Sequence, residues 1–270
     1  MEEIVHIIPL GLEFDRAIIP FEGRQGFKPN RVYLLTIKST RDAPANMIQE
    51  HVEKAQKVKD YFLSKNVEVI EIDTKLINIR DVMGKVSGLI CKEKNLGNRV
   101  YINMSSAGRL TSLGVTLSGM FHDAKVYYVR ADRYSENELE RKERGITICD
   151  HREIIFIENF KMEMPKKLKL KVLVELNKRG KMRTVDIIQF LSNLGAFGYV
   201  VDYFNLSRSE KTSIIMKVNR NILDKLEASE YITKKKLGRE NEYVLTESGS
   251  YMASISGQIP IKVEDVFREP

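Results

Sequence analysis

Five short runs of β-branched and apolar residues recur along the first half of the chain, at positions 4–8, 32–37, 67–72, 100–103 and 126–129. Each has the length and the Val, Ile and Tyr content of a strand. The segments between them carry helical periodicity. Pro44 suits a first turn, and Met47, Val52, Ala55, Val58 and Phe62 share one helical face. Ile77, Val82, Val86 and Ile90 mark a second helix, and Leu110, Leu113 and Leu117 a third. Parallel neighbours need crossover connections, so strands alternating with helices predict a doubly wound α/β domain with a parallel sheet. Ligands of such sheets sit beyond the carboxyl ends of the strands, near a switch point. The loops after the first, second and fourth strands are therefore where a site is expected.

A charged stretch follows at 130–144, and Ile154, Ile155, Phe156 and Ile157 read as a further strand closing the domain. Residues 161–167, Lys-Met-Glu-Met-Pro-Lys-Lys, lack periodicity and read as a linker. At 270 residues the chain is long enough for two cores, which are expected at 1–163 and 164–270. Residues 259–270 carry too little pattern to assign to an element.

The second region opens on a helical pattern, Leu168, Leu170, Val172, Leu173 and Leu176, with Gly180 as its stop. Thr184 can cap a second helix bearing Val185, Ile188 and Leu191. Ser207-Arg208-Ser209-Glu210 fits a capping box ahead of a third helix with Ile215, Val218, Ile222 and Leu226 on one face. Residues 231–246 read as two strands around a basic turn. Three helices and a basic hairpin make a winged helix-turn-helix.

The formal charge of +7 is unevenly placed. Residues 1–160 hold 24 basic against 23 acidic side chains, whereas 161–270 hold 20 against 14, which suits a polyanion partner for the second region. Arg208, Lys211, Thr212, Lys217 and Arg220 lie off the apolar stripe of the third helix, where they can meet phosphates and base edges of double-stranded DNA. Lys234, Lys235, Lys236 and Arg239 of the hairpin can hold its backbone or minor groove.

In the first region, Asn103-Met104-Ser105-Ser106-Ala107-Gly108-Arg109 sits where a strand turns into a helix. Small residues admit a ligand to the backbone, amides at a helix start favour anions, and Arg109 adds charge and directional donors. A polar turn whose serines merely cap the helix would look the same. Gly11, Leu12, Glu13 and Arg16 follow the first strand and open at the same edge. Carboxylates repel phosphate, so Glu13 and Asp15 suit structural pairing, with Arg16 either part of it or facing the ligand. Lys38, Ser39 and Thr40, ending the second strand, form a third side.

Several functions are disfavoured. The chain has no glycine-rich dinucleotide fingerprint and no Gly-Lys-Ser/Thr, so no cofactor is expected. His6, His51, His122 and His151 lack metal-type spacing, and so do Cys91 and Cys149, which suit a reducing compartment. No apolar run approaches a membrane span, and Met-Glu-Glu at the start lacks a basic flank, so a cytoplasmic location is expected.

Residues 168–250 resemble winged-helix transcription regulators, through residues 223–227, Tyr231-Ile232 and the wing ending at 243–249. Residues 3–160 resemble the CRISPR-associated Rossmann fold (CARF) domain, through Asn103 to Arg109 at the strand-to-helix turn and Gly11 to Arg16 at the first loop. The pairing is similar to archaeal CARF-type transcriptional regulators. This resemblance implies a homodimer with a pocket across two Rossmann-like domains and cyclic oligoadenylate as the ligand class. Two departures stand out: Ser-Ser-Ala-Gly-Arg where the family often carries a Thr-Gly-Gly turn and a basic residue, and a long helix-turn-helix linker at 194–206. The resemblance also leaves open a ring nuclease, in which Lys38, Ser105, Ser106 and Arg109 stabilise charge during cleavage of the ligand, although no general base accompanies them. A third reading is a constitutive DNA-binding dimer whose first domain is structural.

Overall fold

The structure, a computed structural model, describes residues 2–22, 27–37, 45–160, 162–199, 202–238 and 240–267. The chain divides into two compact units, Met1–Met162 with Pro260–Pro270, and Glu163–Ile259.

The first unit runs β1 (Ile4–Pro9), α1 (Asp15–Ile18), β2 (Arg31–Thr36), α2 (Ala45–Ser64), β3 (Glu68–Asp73), α3 (Ile79–Asn95), β4 (Arg99–Asn103), α4 (Arg109–Phe121) and β5 (Lys125–Val129). An excursion of β6 (Arg133–Tyr134), α5 (Glu138–Arg144) and β7 (Thr147–Ile148) precedes β8 (Ile154–Ile157). In the sheet β1 lies between β2 and β4, with β3 outside β2 and β5 outside β4, all parallel. The strand order reverses at β1 and β4, which makes their carboxyl ends the switch point. β8 closes one edge antiparallel to β5. Both faces of the sheet are covered. Ile8, Leu34, Val58 and Phe62 belong to one apolar cluster, and Ile7, Tyr33, Val86 and Ile102 to the other, as expected of strands whose successive side chains alternate faces.

Helix α4 packs through small residues. Thr111, Gly114, Val115, Ser118 and Gly119 are buried, and a Cβ on Gly119 would overlap Val126. Of the leucines that mark this helix in the sequence, Leu110 and Leu113 face outward, 54% and 49% exposed, while Leu117 is half-buried. Ile77 lies before the start of α3 and is 64% exposed.

The second unit runs α6 (Lys167–Arg179), β9 (Lys181–Arg183), α7 (Thr184–Asn193), α8 (Arg208–Val218), a π turn (Asn219–Leu223), α9 (Asp224–Ala228), β10 (Ile232–Leu237), β11 (Glu240–Leu245) and α10 (Glu247–Ile255). Gly180 ends α6 at φ +80°, the left-handed geometry a stop glycine supplies. Ser207 and Glu210 form the reciprocal box at the start of α8, Glu210 N to Ser207 Oγ at 3.4 Å and Ser207 N to Glu210 Oε2 at 2.8 Å. Thr184 does not cap α7. It is the first helical residue, and Asp186 accepts from the Arg183 amide instead, at 3.0 Å. Leu173, Ile188, Val218, Ile222 and Leu226 meet in one core. β9, unmarked in the sequence, pairs with β11 and makes the hairpin a three-stranded sheet.

The last segment corrects the second domain's expected extent. β12 (Val266–Phe267) pairs antiparallel with β3, so the tail belongs to the first unit's sheet and not to the winged helix. Ile261 and Val266 pack on the first unit's core, and Lys85 meets Asp265 at 3.4 Å. Two extended residues on a sheet edge carry no period that a sequence can display.

Candidate functional site

At the switch point the loops after β1 and β4 are bonded to each other. The Gly11 amide donates to the Ser106 carbonyl at 2.7 Å, and Ser106 Oγ donates to the Pro9 carbonyl at 2.8 Å. A Cβ on Gly11 would lie 3.2 Å from that Ser106 oxygen, so the approach favours glycine. Asn103 is fully buried and knits three segments. Its Nδ2 donates to the Arg16 carbonyl at 2.8 Å, and its Oδ1 accepts from the Ser105 amide at 2.9 Å and from Ser105 Oγ at 2.6 Å. Ser105 Oγ in turn accepts from the Val129 amide at 3.0 Å.

The Arg16 guanidinium donates to the Ser105 carbonyl at 3.0 Å and to the Tyr128 hydroxyl at 3.2 Å, and lies 5.3 Å from the Tyr128 ring centre. Both acids of the first loop face the excursion. Glu13 accepts from the Thr147 amide at 3.0 Å and hydroxyl at 2.8 Å. Asp15 accepts from the Cys149 amide at 3.1 Å and pairs with Arg144 at 2.7 Å. Burial holds the Glu13 carboxyl above its ordinary range, against the opposing hydrogen bonds from Thr147.

Of the twelve residues proposed for this site, Glu13, Arg16, Asn103, Ser105 and Ser106 thus build the loops with their side chains. Leu12 and Ala107 are half-buried, while Gly108 and Arg109 are exposed. Gly108 is the N-cap of α4 and supplies no side-chain acceptor, so amides of the first turn are left for another partner. Arg109 makes no ion pair among the described residues. An uncapped helix start beside a guanidinium that is unpaired among the described residues favours an anion. Lys38, Ser39 and Thr40 lie outside the described residues. Tyr128, Thr147 and Arg144 were missed in the sequence, because their roles arise from partners that are remote along the chain.

On the winged helix, Arg208, Thr212, Lys217 and Arg220 are exposed on the α8 segment and the π turn that continues it. Lys211 is not free: its Nζ donates to the Phe204 carbonyl at 3.0 Å and lies 5.7 Å from the Tyr203 ring centre, pinning the linker. In the hairpin, Lys234 pairs with Glu227 at 3.0 Å, and that hydrogen bond raises its pKa. Lys235 and Lys236 are exposed with no ion pair among the described residues, and they point to opposite faces of the strand. Arg239 lies outside the described residues.

Comparison with known proteins follows this division. Residues 4–134 match the family described as HFX_2341_N-like, N-terminal, and residues 166–257 match the DUF6293 C-terminal winged helix domain. No curated protein matches the chain. Among solved structures, protein VC1899 from Vibrio cholerae is 12% identical with a TM-score of 0.38, over 93% of this chain and 64% of that one. Can2 from Sulfobacillus thermosulfidooxidans, in complex with cyclic tetra-adenylate, is 12% identical with a TM-score of 0.38, over 92% and 61%. Enterococcus italicus Csm6, bound to cyclic hexa-2'-fluoro-hexa-dAMP, is 10% identical with a TM-score of 0.40, over 86% and 57%. This chain spans less than two thirds of the length of each. No helix among the described residues is long and apolar enough to cross a membrane. The mostly parallel sheet of the first unit thus carries the region that matches an HFX_2341_N-like N-terminal domain, and the helices and hairpin of the second carry the region that matches the DUF6293 C-terminal winged helix domain.

Proposed function

We propose that the chain is a ligand-responsive transcriptional regulator: a homodimer whose first domain takes a nucleotide-type anion and whose winged helix binds double-stranded DNA. The observation that carries the ligand half is the start of α4, where Gly108 leaves the first-turn amides uncapped and Arg109 stands unpaired among the described residues, at the switch point of the sheet. Cyclic oligoadenylate is the ligand class implied by the resemblance of residues 3–160 to CARF domains. Its phosphates suit helix amides and a guanidinium. The DNA half rests on the match of residues 166–257 to a winged helix and on the exposed Arg208, Lys217, Arg220, Lys235 and Lys236.

The homodimer is supported by the outward apolar residues of α4, Leu110 and Leu113, which sit beside the proposed ligand site. A ligand shared by two protomers would then alter the separation of two recognition helices, and a dimer reads half-sites at a fixed spacing. The ring-nuclease reading loses two of its groups, because the Ser105 and Ser106 hydroxyls donate to Asn103 and Pro9.

Calorimetric titration of cyclic tetra-adenylate into the protein and into Arg109→Ala tests the ligand half. Binding weakened about tenfold or more in the variant is expected, from loss of a charge-assisted contact of about 1.5–3 kcal/mol. Equal binding by both proteins would move the site elsewhere, and conversion of the ligand to linear products would favour the nuclease.

A further inference from the structure

The solvent face of α8 carries one residue that its surroundings do not explain. Ser209, Ser213, Met216 and Arg220 recur at helical spacing along one stripe, opposite the buried Ile214, Val218 and Ile222. Met216 is 65% exposed in the middle of that stripe, and it is the large apolar side chain left outside on this helix. Its neighbours one turn before, Thr212 and Ser213, are short, and the Thr212 hydroxyl donates back to the Arg208 carbonyl at 2.9 Å. The thioether therefore projects beyond its surroundings, between hydroxyl-bearing residues on one side and Arg220 on the other.

We propose that Met216 reads the 5-methyl group of a thymine in the major groove. This rests on the DNA-binding reading above and specifies the base chemistry of that surface. A helix lying in the major groove meets base edges with its outward stripe, and of the groups displayed there the thymine methyl is the apolar one. Methionine is unbranched and polarisable, suited to an irregular apolar contact. Short Ser and Thr neighbours let the helix axis come close to the groove floor, while Arg208 and Lys217, on either side of the stripe, are placed to hold phosphates.

The test begins with duplexes selected from a random pool by the full-length protein. Each thymine of the selected sequence is then replaced in turn by deoxyuridine, which removes the methyl and keeps the base pair. The wild type is expected to bind about fourfold more weakly at one thymine in each half-site, the fold-change for one buried methyl-sized group. Met216→Ala, an exposed substitution, should bind thymine and uracil duplexes equally, and Met216→Leu should restore the preference. Indifference of the wild type to every replacement, or full methyl sensitivity in Met216→Ala, would overturn the assignment while leaving DNA binding intact. Absence of binding to any duplex would instead overturn the DNA-binding reading, and this assignment with it.

Discussion

The Asn103 side-chain amide donates to the Arg16 carbonyl at 2.8 Å, across 87 residues of chain. With the Gly11 to Ser106 bond this makes the first and fourth loops of the sheet one rigid edge, from which Gly108 and Arg109 protrude. The proposed function thus gives building and binding to different residues of a single motif. Asn103→Ala strands a buried carbonyl, amide and hydroxyl and should lower stability by about 3 kcal/mol. Arg109→Ala should stay within about 0.5 kcal/mol of the wild type. Urea unfolding of both variants checks the division, and equal losses would refute it.

The outward leucines of α4 predict a second effect. Leu113→Glu places a charge on a face that two protomers are proposed to share, so light scattering should find a monomer that is as stable as a folded domain of its size allows. Because Leu113 is half exposed in the single chain, its loss should cost the fold little. A variant that remains dimeric would place the dimer elsewhere.

His6 gives the fold a dependence on pH. It is buried among Phe21, Phe27, Tyr101 and Tyr127, and burial lowers its pKa from 6.5 to about 3. Below pH 6.5 the unfolded chain takes up a proton that the folded state refuses until about pH 3, so stability is present above this window and is lost as pH falls through it. His51, lowered to about 4, adds in the same sense, while the raised Glu13 carboxyl acts in the opposite one. His6→Phe keeps an aromatic ring in the cluster and should flatten the acid limb by about 1.4 kcal/mol per pH unit. Unfolding curves from pH 6 downward read this directly, and parallel slopes in the two proteins would contradict it.

The returning tail makes the winged helix an insertion in the first unit's sequence. Deleting residues 260–270 removes the half-buried Ile261 and Val266 and the β12 pairing with β3. A loss of about 2 kcal/mol is expected for two partly buried apolar side chains, seen as earlier unfolding of the first unit. Unchanged stability would show that the edge pairing is idle.

The parallel strands are legible in the sequence because β-branched runs buried on both faces leave an unbroken apolar signature, as in residues 32–35. The tail strand is not, since a two-residue edge strand is made by its partner. At the site, small polar residues in a strand-to-helix turn mark the right place but not the right roles. Asn103, Ser105 and Ser106 have the composition of a ligand loop, and it takes the fold to show their hydrogen bonds turned inward. Arg109 keeps the exposure its sequence position suggests. Lys211 and Lys234 look like their neighbours in sequence, yet Phe204 and Glu227 engage them, and those contacts depend on tertiary geometry.

The most direct test of the account is the affinity of the full-length protein for a selected duplex, measured with and without saturating cyclic tetra-adenylate. A change of at least about fivefold is expected, the lower end of ordinary allosteric coupling, abolished in Arg109→Ala. Tight binding of cyclic tetra-adenylate with an unchanged DNA affinity would contradict it.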